Sequence, residues 1–270
     1  MYCMEINQFG LGAYLGRVGY RGPLVPTLET LTALHEAHQA AIPFENLDIL
    51  LGRSILLDLP ALVAKLIEGG RGGYCFEHNT LFRAALEAAG FRVTSLAARV
   101  RLGAHPGEIR PRSHMLLLVE LPQGPFVADV GFGGEGPVRP LPLVEGQETW
   151  SGCGGYRLRR ENGAWVLAGN PDGRWADLYA FNLEPQHPVD FVVANWFTST
   201  HPSSRFVQTL TAQRSWPDSR AVLRDRELLI RDNAATRSET IRDPEHLLDV
   251  LAETFGLKFP RGTRFSRPVF

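Results

Sequence analysis

The segment Arg71-Gly72-Gly73-Tyr74-Cys75-Phe76-Glu77-His78-Asn79 joins a pair of glycines to a helical pattern and places a cysteine at the junction. Apolar residues recur at helical spacing after Cys75, and Gly90 follows them as a typical stop signal. Because the free N–H groups and the dipole at a helix N-terminus favour negative charge, a thiolate is stabilised there. The segment therefore predicts a reactive cysteine, with a buried structural cysteine as the alternative.

The composition narrows the class of protein. The chain has 270 residues, enough for a substantial core in one domain or in two to three small ones. Its 28 Lys and Arg against 29 Asp and Glu give a formal charge of −1, so no nucleic-acid partner is expected. We also expect no membrane span and no signal peptide. The odd number of cysteines (Cys3, Cys75 and Cys153) favours a reducing, cytoplasmic location.

The first third of the chain is predicted to be helical. The first helix carries Leu11, and the second follows Thr27, a plausible N-cap. A third is expected from Pro60 to the glycines at 69–70, and a fourth from Cys75. Residues 43–48 follow neither a helical nor a strand pattern.

The pattern changes after residue 91. Short apolar runs at 115–121 and 126–130 are typical of buried strands, and Asn162-Gly163 is a strong hairpin signal. The middle third therefore predicts an antiparallel sheet or barrel. Beyond it we expect a helix from Pro188, strands at 205–210 and 226–231, and a last helix after Asp243.

A thiolate nucleophile needs a partner base, and that base needs orienting. His114 directly precedes the apolar run at 115–121, and Asp129 lies inside the next run. If those two strands are neighbours, Asp129 can accept a hydrogen bond from His114 and stabilise its charged form. The alternative is that Asp129 only caps a turn before Gly131.

Other histidines compete for this role among the eight in the chain. His78 follows Cys75 by three residues, so on a helix the two share a face. His35 and His38 lie in a helical pattern and are interpreted as surface or interhelical residues. The remaining four are assigned to turns or helix starts: His105, His187, His201 and His246.

Several motifs, in this order along nearly the whole chain, resemble signature segments of the arylamine N-acetyltransferases. Residues 71–77 are similar to the active-cysteine motif, and Pro43-Phe44-Glu45-Asn46-Leu47-Asp48 to a second signature. Ser113-His114-Met115 and Asp129-Val130-Gly131-Phe132-Gly133 resemble the segments that supply the histidine and aspartate of that family. Residues 195–206 are similar to the segment of that family that lies near its third domain.

The resemblance implies an α+β fold with a core like that of cysteine proteases. Residues 1–90 are expected to form a helical bundle that carries the nucleophilic cysteine. Residues 91–186 are expected to form an antiparallel β-barrel that carries the histidine and aspartate, and residues 187–270 a linker helix and an α/β lid. The implied catalytic triad is Cys75, His114 and Asp129; His78 falls where family members vary and is left out.

The resemblance also implies the chemistry. The enzyme would N-acetylate arylamines, arylhydrazines or hydrazines, in xenobiotic metabolism, through an acetyl-cysteine on Cys75. Acetyl-CoA is then a co-substrate, with no permanently bound cofactor and no metal. Phe44, Phe132 and Phe206 would line the pocket for the small aromatic amine or hydrazine. The oligomeric state is open, with a homodimer as one alternative.

Three other functions stay open at this point. A cysteine-dependent hydrolase or a transglutaminase-like enzyme would use the same three groups. A metal site on Cys75 and His78 would lack two further ligands at a recognisable spacing. A non-catalytic binding domain would leave Cys75 unreactive. In each case we expect Arg71 to pair with Glu45 as structural support behind the cysteine.

Overall fold

Helices dominate the N-terminal part of the structure, a computed structural model that describes residues 10–105, 107–151, 154–170, 173–232, 235–268 and 270. The helices of this part are α1 (Leu11–Val18), α2 (Leu28–Ala41), α3 (Leu47–Leu50), α4 (Leu59–Leu62), which continues as a π-helix over Val63–Glu68, and α5 (Cys75–Ala88). The four predicted helices are all present. Cys3 and Cys153 lie outside the described residues.

Side-chain caps explain where these helices begin. The Thr27 hydroxyl accepts a hydrogen bond from the Thr30 N–H at the start of α2, as predicted. The Asp58 carboxylate accepts from the Ala61 N–H at the start of α4. At the start of α5, the carboxylate of Glu77 reaches back to the N–H of the residue before Cys75, at 3.0 Å.

Thirteen strands in the described part of the chain form two antiparallel sheets. The strands are β1 (Phe44–Glu45), β2 (Arg92–Val100), β3 (Arg112–Leu121), β4 (Gly124–Ala128), β5 (Leu141–Pro142), β6 (Glu148–Ser151), β7 (Gly154–Glu161), β8 (Ala164–Asn170), β9 (Ala176–Phe181), β10 (Thr211–Ser215), β11 (Ser219–Arg224), β12 (Glu227–Asp232) and β13 (Thr236–Thr240). The larger sheet has the order β5-β4-β3-β2-β9-β8-β7-β6, and the smaller β1-β10-β11-β12-β13.

The larger sheet curls into a nearly closed barrel. After β5 the chain returns to β7, where the Gly146 N–H donates to the Leu158 carbonyl at 2.8 Å. The predicted hairpin joins β7 to β8, with Asn162 and Gly163 at φ values of 49° and 81°. Positive φ at both positions is the signature of a type I′ turn, which matches the twist of the strands it connects.

The C-terminal part combines the smaller sheet with helices α6 (Pro188–Thr200), α7 (Arg205–Gln208) and α8 (Pro244–Phe255). The prediction of a strand over residues 205–210 is wrong. The Ser204 hydroxyl accepts from the Phe206 N–H and starts a short helix there, so the strand begins only at Thr211. Residues 43–48, predicted to be irregular, contain β1 and the first two residues of α3.

Strand β1 connects the two ends of the chain. It pairs with β10, with Phe44 opposite Gln213 and Glu45 opposite Ala212. The C-terminal sheet therefore takes one edge strand from the helical N-terminal part. The α+β architecture of helices, antiparallel barrel and C-terminal α/β layer is as predicted, whereas the domain boundaries at residues 90 and 186 stay a prediction.

The core divides into three apolar clusters. One joins the N-terminal helices to the outer face of the barrel at β3, around Phe76 and Phe82. A second fills the barrel around Leu116 and Leu167, and a third packs α8 against the C-terminal sheet around Leu251. No helix among the described residues has both the length and the apolar character needed to cross a bilayer.

Three histidines are buried between the N-terminal helices, His35, His38 and His78. Of the two places predicted for His35 and His38, surface or interhelical, the structure shows the second. The Tyr14 hydroxyl bonds His38 Nδ1 at 3.0 Å, and His38 Nε2 bonds His78 Nδ1 at 2.9 Å. His78 Nε2 lies 3.2 Å from the Pro43 carbonyl. Since that carbonyl can only accept, the chain of bonds is satisfied by neutral imidazoles.

Burial keeps these imidazoles uncharged. It lowers the pKa of His35 and of His78 to about 4. The pKa of His38 is lowered well below its ordinary value by burial and by the neighbouring His78. The described structure thus holds three neutral histidines where the unfolded chain, with pKa values of about 6.5, holds protonated ones in mild acid.

We expect the free energy of unfolding to fall as the pH falls from about 6.5 towards 4. The unfolded state binds more protons in this window, so each buried histidine removes roughly 2 kcal/mol of stability by pH 5. Glu77 acts in the opposite sense, because burial, opposed by Lys65, raises its pKa to about 7. Urea unfolding at pH 5, 6 and 7.5 measures the combined effect of these groups on the free energy of unfolding.

The variant His78→Asn tests the origin of this loss. Its stability should depend less steeply on pH than that of the wild type over the same range. His105→Asn, which changes an exposed histidine, is the matched control and should keep the wild-type slope. Equal slopes in all three proteins would contradict the assignment.

Candidate active site

Cys75, His114 and Asp129 come together where α5 meets the barrel. Cys75 is the first residue of α5, His114 lies in β3, and Asp129 follows β4 directly. Strands β3 and β4 are paired, and His114 Nε2 lies 2.7 Å from Asp129 Oδ2. The neighbouring strands and the histidine–carboxylate bond expected from the sequence are both present.

The contact between His114 and Asp129 sets the charge on His114. With Nε2 bonded to Asp129, Nδ1 is the ring nitrogen left to face Cys75. Burial alone would lower the pKa of His114, but the charge and hydrogen bond of Asp129, with the bond to Cys75, raise it to about 10. A protonated imidazole at neutral pH stabilises a thiolate beside it.

Asp129 is fully buried and stays ionised because several donors converge on it. Burial raises its pKa, but the charge of and the bond from His114 outweigh that and lower it, helped by two further donors. The Asn79 side-chain amide and the Gly131 N–H each donate to Oδ1 at 3.0 Å. On the other side, the Asp129 N–H donates to His35 Nε2 at 3.1 Å.

Asn79 was not among the residues predicted for the site. Its amide also donates to the Met115 carbonyl at 2.8 Å, and its oxygen accepts from the Val130 N–H at 3.2 Å. It thereby ties α5 to the strands that carry His114 and Asp129. Its position in the sequence could have indicated this contact, because Asn79 lies one helical turn after Cys75 in the same motif and shares its helix face.

Glycines allow the closest approaches around the cysteine. A Cβ at Gly131 would lie 2.8 Å from Cys75 Cα, so no larger residue fits between the β4 loop and α5. A Cβ at Gly72 would lie 1.9 Å from the Pro43 carbonyl oxygen. The backbone just before β1 therefore occupies the space beside Gly72, and only a glycine fits there.

Cys75 and His114 open into a cleft of about 600 Å³. The three phenylalanines predicted for the acceptor pocket line the same cleft, namely Phe44, Phe132 and Phe206. Phe44 packs on Phe206 with ring centroids 5.9 Å apart, and Phe132 packs edge-on against His114 at 5.1 Å. Their function in binding an acceptor stays a prediction.

A network of charges lies behind the start of α5. The predicted ion pair is present, with Arg71 Nη2 2.6 Å and Nε 3.0 Å from Glu45 Oε1. Arg71 also binds Asp48 at 3.2 Å, and Lys65 bridges Asp48 and Glu77 at 2.9 and 2.7 Å. Asp48 and Glu77 belong to the two quoted motifs but were not predicted to join the ion pair, because only the folded chain brings Lys65 between them.

His78 does not share this site. Its two ring nitrogens are bonded to His38 and to the Pro43 carbonyl, so neither faces the sulfur of Cys75. Within the part of the chain that the structure describes, no three His, Cys, Asp or Glu side chains are grouped as metal ligands would be.

We expect Asp129→Asn to slow the alkylation of Cys75 by iodoacetamide at least about tenfold near pH 7. The amide lacks the charge that keeps His114 protonated, and an isolated thiol is only a few per cent ionised at this pH. Rates are measured on the digested protein by mass spectrometry, with Cys3 and Cys153 as internal references. Asp177→Asn, which changes a half-buried carboxylate of the barrel, is the control and should react like the wild type. An unchanged rate in Asp129→Asn would remove Asp129 from the site.

We expect strong coupling between Arg71 and Glu45 in a double-mutant cycle. Arg71→Met or Glu45→Gln alone should lower the free energy of unfolding by about 3 kcal/mol, because each change leaves the other buried charge without its partner. The double variant should cost less than the sum by about 1–3 kcal/mol. A parallel cycle on Arg92 and Glu120, an exposed pair at 3.7 Å, should show no measurable coupling. Additive effects at Arg71 and Glu45 would refute a structural network.

Comparison with known proteins identifies the family of this chain. The model of an N-acetyltransferase family matches residues 27–264. The arylamine N-acetyltransferase / N-hydroxyarylamine O-acetyltransferase of Salmonella typhimurium is 40% identical over 249 residues, 92% of this chain and 88% of that protein.

Solved structures agree as well. The arylamine N-acetyltransferase from M. tuberculosis matches with a TM-score of 0.88 and 40% identity over 91% of this chain and 93% of that one. The Mycobacterium marinum arylamine N-acetyltransferase in complex with CoA matches with a TM-score of 0.87 and 39% identity over 91% and 92%. With the cysteine, histidine and aspartate arranged as described, the chain belongs to the arylamine N-acetyltransferases, a family of acyltransferases.

Proposed function

We propose that this chain transfers acetyl groups from acetyl-CoA to arylamines, arylhydrazines or hydrazines by a ping-pong reaction through an acetyl-cysteine on Cys75. The observation that carries the proposal is the bond between His114 and Asp129 in a cleft that Cys75, His114 and three phenylalanines line together. The family of the chain and the CoA bound in the M. marinum relative support acetyl-CoA as the donor.

In the first half-reaction the Cys75 thiolate attacks the carbonyl carbon of the donor thioester. Since Cys75 is the first residue of α5, the free N–H groups of the first helical turn lie close to it and would stabilise the oxyanion of the tetrahedral intermediate. The carbon–sulfur bond to CoA then breaks, and the departing thiolate takes the proton of His114. One thioester replaces another, so this step is nearly neutral in free energy.

In the second half-reaction the amine nitrogen attacks the acetyl-cysteine. His114, now neutral, accepts the proton of the amine, and the carbon–sulfur bond to Cys75 breaks as the amide forms. The thiolate and the imidazolium are thereby restored together. Asp129 remains ionised throughout and holds the imidazole in the orientation that both steps need.

The walls of the cleft suit the acceptor. Phe44, Phe132 and Phe206 offer flat apolar faces for an aromatic ring and limit the access of water to the acetyl-cysteine. In this proposal residues 1–90 supply the nucleophile, 91–186 the histidine and aspartate, and 187–270 the lid. A reducing cytoplasm would keep the thiol active, and foreign aromatic amines are the expected acceptors.

The test is a burst experiment. Mixed with acetyl-CoA and no acceptor, the protein should release one equivalent of CoA rapidly, and the peptide that contains Cys75 should carry the acetyl group by mass spectrometry. An arylamine added afterwards should discharge it as the amide. Cys75→Ser should give no burst, whereas Cys153→Ser is the control and should give the wild-type burst.

Other outcomes separate the alternatives. Continuous release of CoA without any acceptor would indicate a hydrolase that uses the same three residues. Cross-linking of glutamine side chains to amines without CoA would indicate a transglutaminase-like enzyme. No acetylation of Cys75 with any acyl-CoA donor would refute the proposed transferase.

A further inference from the structure

Three arginines line the cleft that contains Cys75. Arg205 opens α7, Arg224 ends β11, and Arg110 lies in the connection between β2 and β3. They come from distant parts of the chain and none was predicted to belong to the site. Folding therefore brings three positive charges to one opening.

The partners of these arginines differ. Arg110 binds Glu108 at 2.7 Å and donates to the carbonyls of Leu102 and Gly103. Arg205 and Arg224 are exposed, and across the described residues neither side chain has a hydrogen bond or an ion pair. Two guanidinium groups are thus available in the cleft, each with its full set of donors.

Their charges act on one another. Partial desolvation by the cleft walls, then the neighbouring charges of Arg224 and Arg110, lower the pKa of Arg205. The carboxylate of Asp225 opposes this only weakly, and one of its oxygens already accepts from the Leu210 N–H. Like charges held close together in a cleft are relieved when an anion binds between them.

The cleft also contains negative charge. Glu108 is bound to Arg110, and Glu135 lines the wall near Phe132. Three arginines against two carboxylates leave a net positive cleft, with the uncompensated charge on the side of Arg205 and Arg224. A walled cleft concentrates such a field more than an open surface does.

We propose that Arg205 and Arg224 form an anion-binding subsite that holds phosphate groups of the acyl-CoA donor. This inference rests on the proposed function and adds how the donor is held. CoA carries its phosphates at the end remote from the thioester, joined by an uncharged arm. A guanidinium fork matches two oxygens of one phosphate, and two forks can share a dianion.

The donor is favoured over the acceptor as the source of the anion. The acceptors proposed for this site are uncharged amines, and the aromatic walls at Phe132 and Phe206 already suit their rings. A carboxylate on an aromatic acceptor is the competing source. Both anions would contact the same two arginines, so the experiment must separate them.

The test compares two acetyl donors, acetyl-CoA and the acetyl thioester of N-acetylcysteamine, which has no phosphate. In Arg205→Gln/Arg224→Gln, the preference in kcat/KM for acetyl-CoA over the phosphate-free thioester should fall at least about tenfold. The double change to Lys should retain part of the preference, since it keeps the charge. Added salt should reduce the wild-type preference and affect the Gln variant little.

The control is Arg237→Gln, which removes the same charge from β13 of the same sheet, where the side chain is 72% exposed. It should keep the wild-type preference. Calorimetry measures the binding of CoA itself and gives a readout without turnover. CoA binding should weaken at least about tenfold in the double Gln variant, and by less in each single variant. Unfolding curves show that the variants are folded.

Two results would overturn the subsite. One is an unchanged donor preference together with unchanged CoA binding. The other is a loss confined to acceptors with a carboxylate, seen with 4-aminobenzoate but not with 4-methylaniline, which would assign the arginines to the acceptor. A wild-type protein that transfers acetyl groups from neither donor would instead refute the proposed function, and the subsite with it.

Discussion

The ionised carboxylate of Asp129 is the constraint on which the site depends. A buried charge is costly unless donors surround it, and here they come from the barrel, from the helix that carries Cys75 and from the loop after β4. His35 on α2 accepts from the backbone of the same residue. One carboxylate-bearing residue therefore links the N-terminal helices to the barrel around the cysteine.

Two kinds of buried polar group lie on either side of the cysteine helix. Behind its first turn, Arg71 and Lys65 form ion pairs with three carboxylates. Farther along, His38 and His78 stay neutral because burial is not offset by any adjacent carboxylate bond. The single protonated imidazole among them is His114, because it alone has the full charge of Asp129 within bonding distance. Position relative to a carboxylate, more than burial, decides which histidine is charged.

Local signals sufficed for much of this architecture. Caps such as Thr27 and the Asn162-Gly163 turn are recognised within a few residues. The two short apolar runs at 115–121 and 126–130 predicted neighbouring strands that would bring His114 beside Asp129, and the structure shows both. Residues 205–208 were misassigned because a serine cap outweighs strand propensity over so short a stretch. Arg224 and Lys65 were missed because only the folded chain brings them to the site.

The pairing of β1 with β10 has a consequence for synthesis on the ribosome. Phe44 is made early, but the strand that fixes its backbone, beginning at Thr211, emerges only after most of the chain has been translated. A nascent chain that ends before that point already contains the nucleophile, the histidine and the aspartate. Strand β1, which carries one wall residue of the cleft, still lacks its partner β10. Unpaired strand edges attract other strands. Because this contact joins strands so far apart in sequence, it forms late in folding, and the cleft acquires its final shape only after β10 has been made.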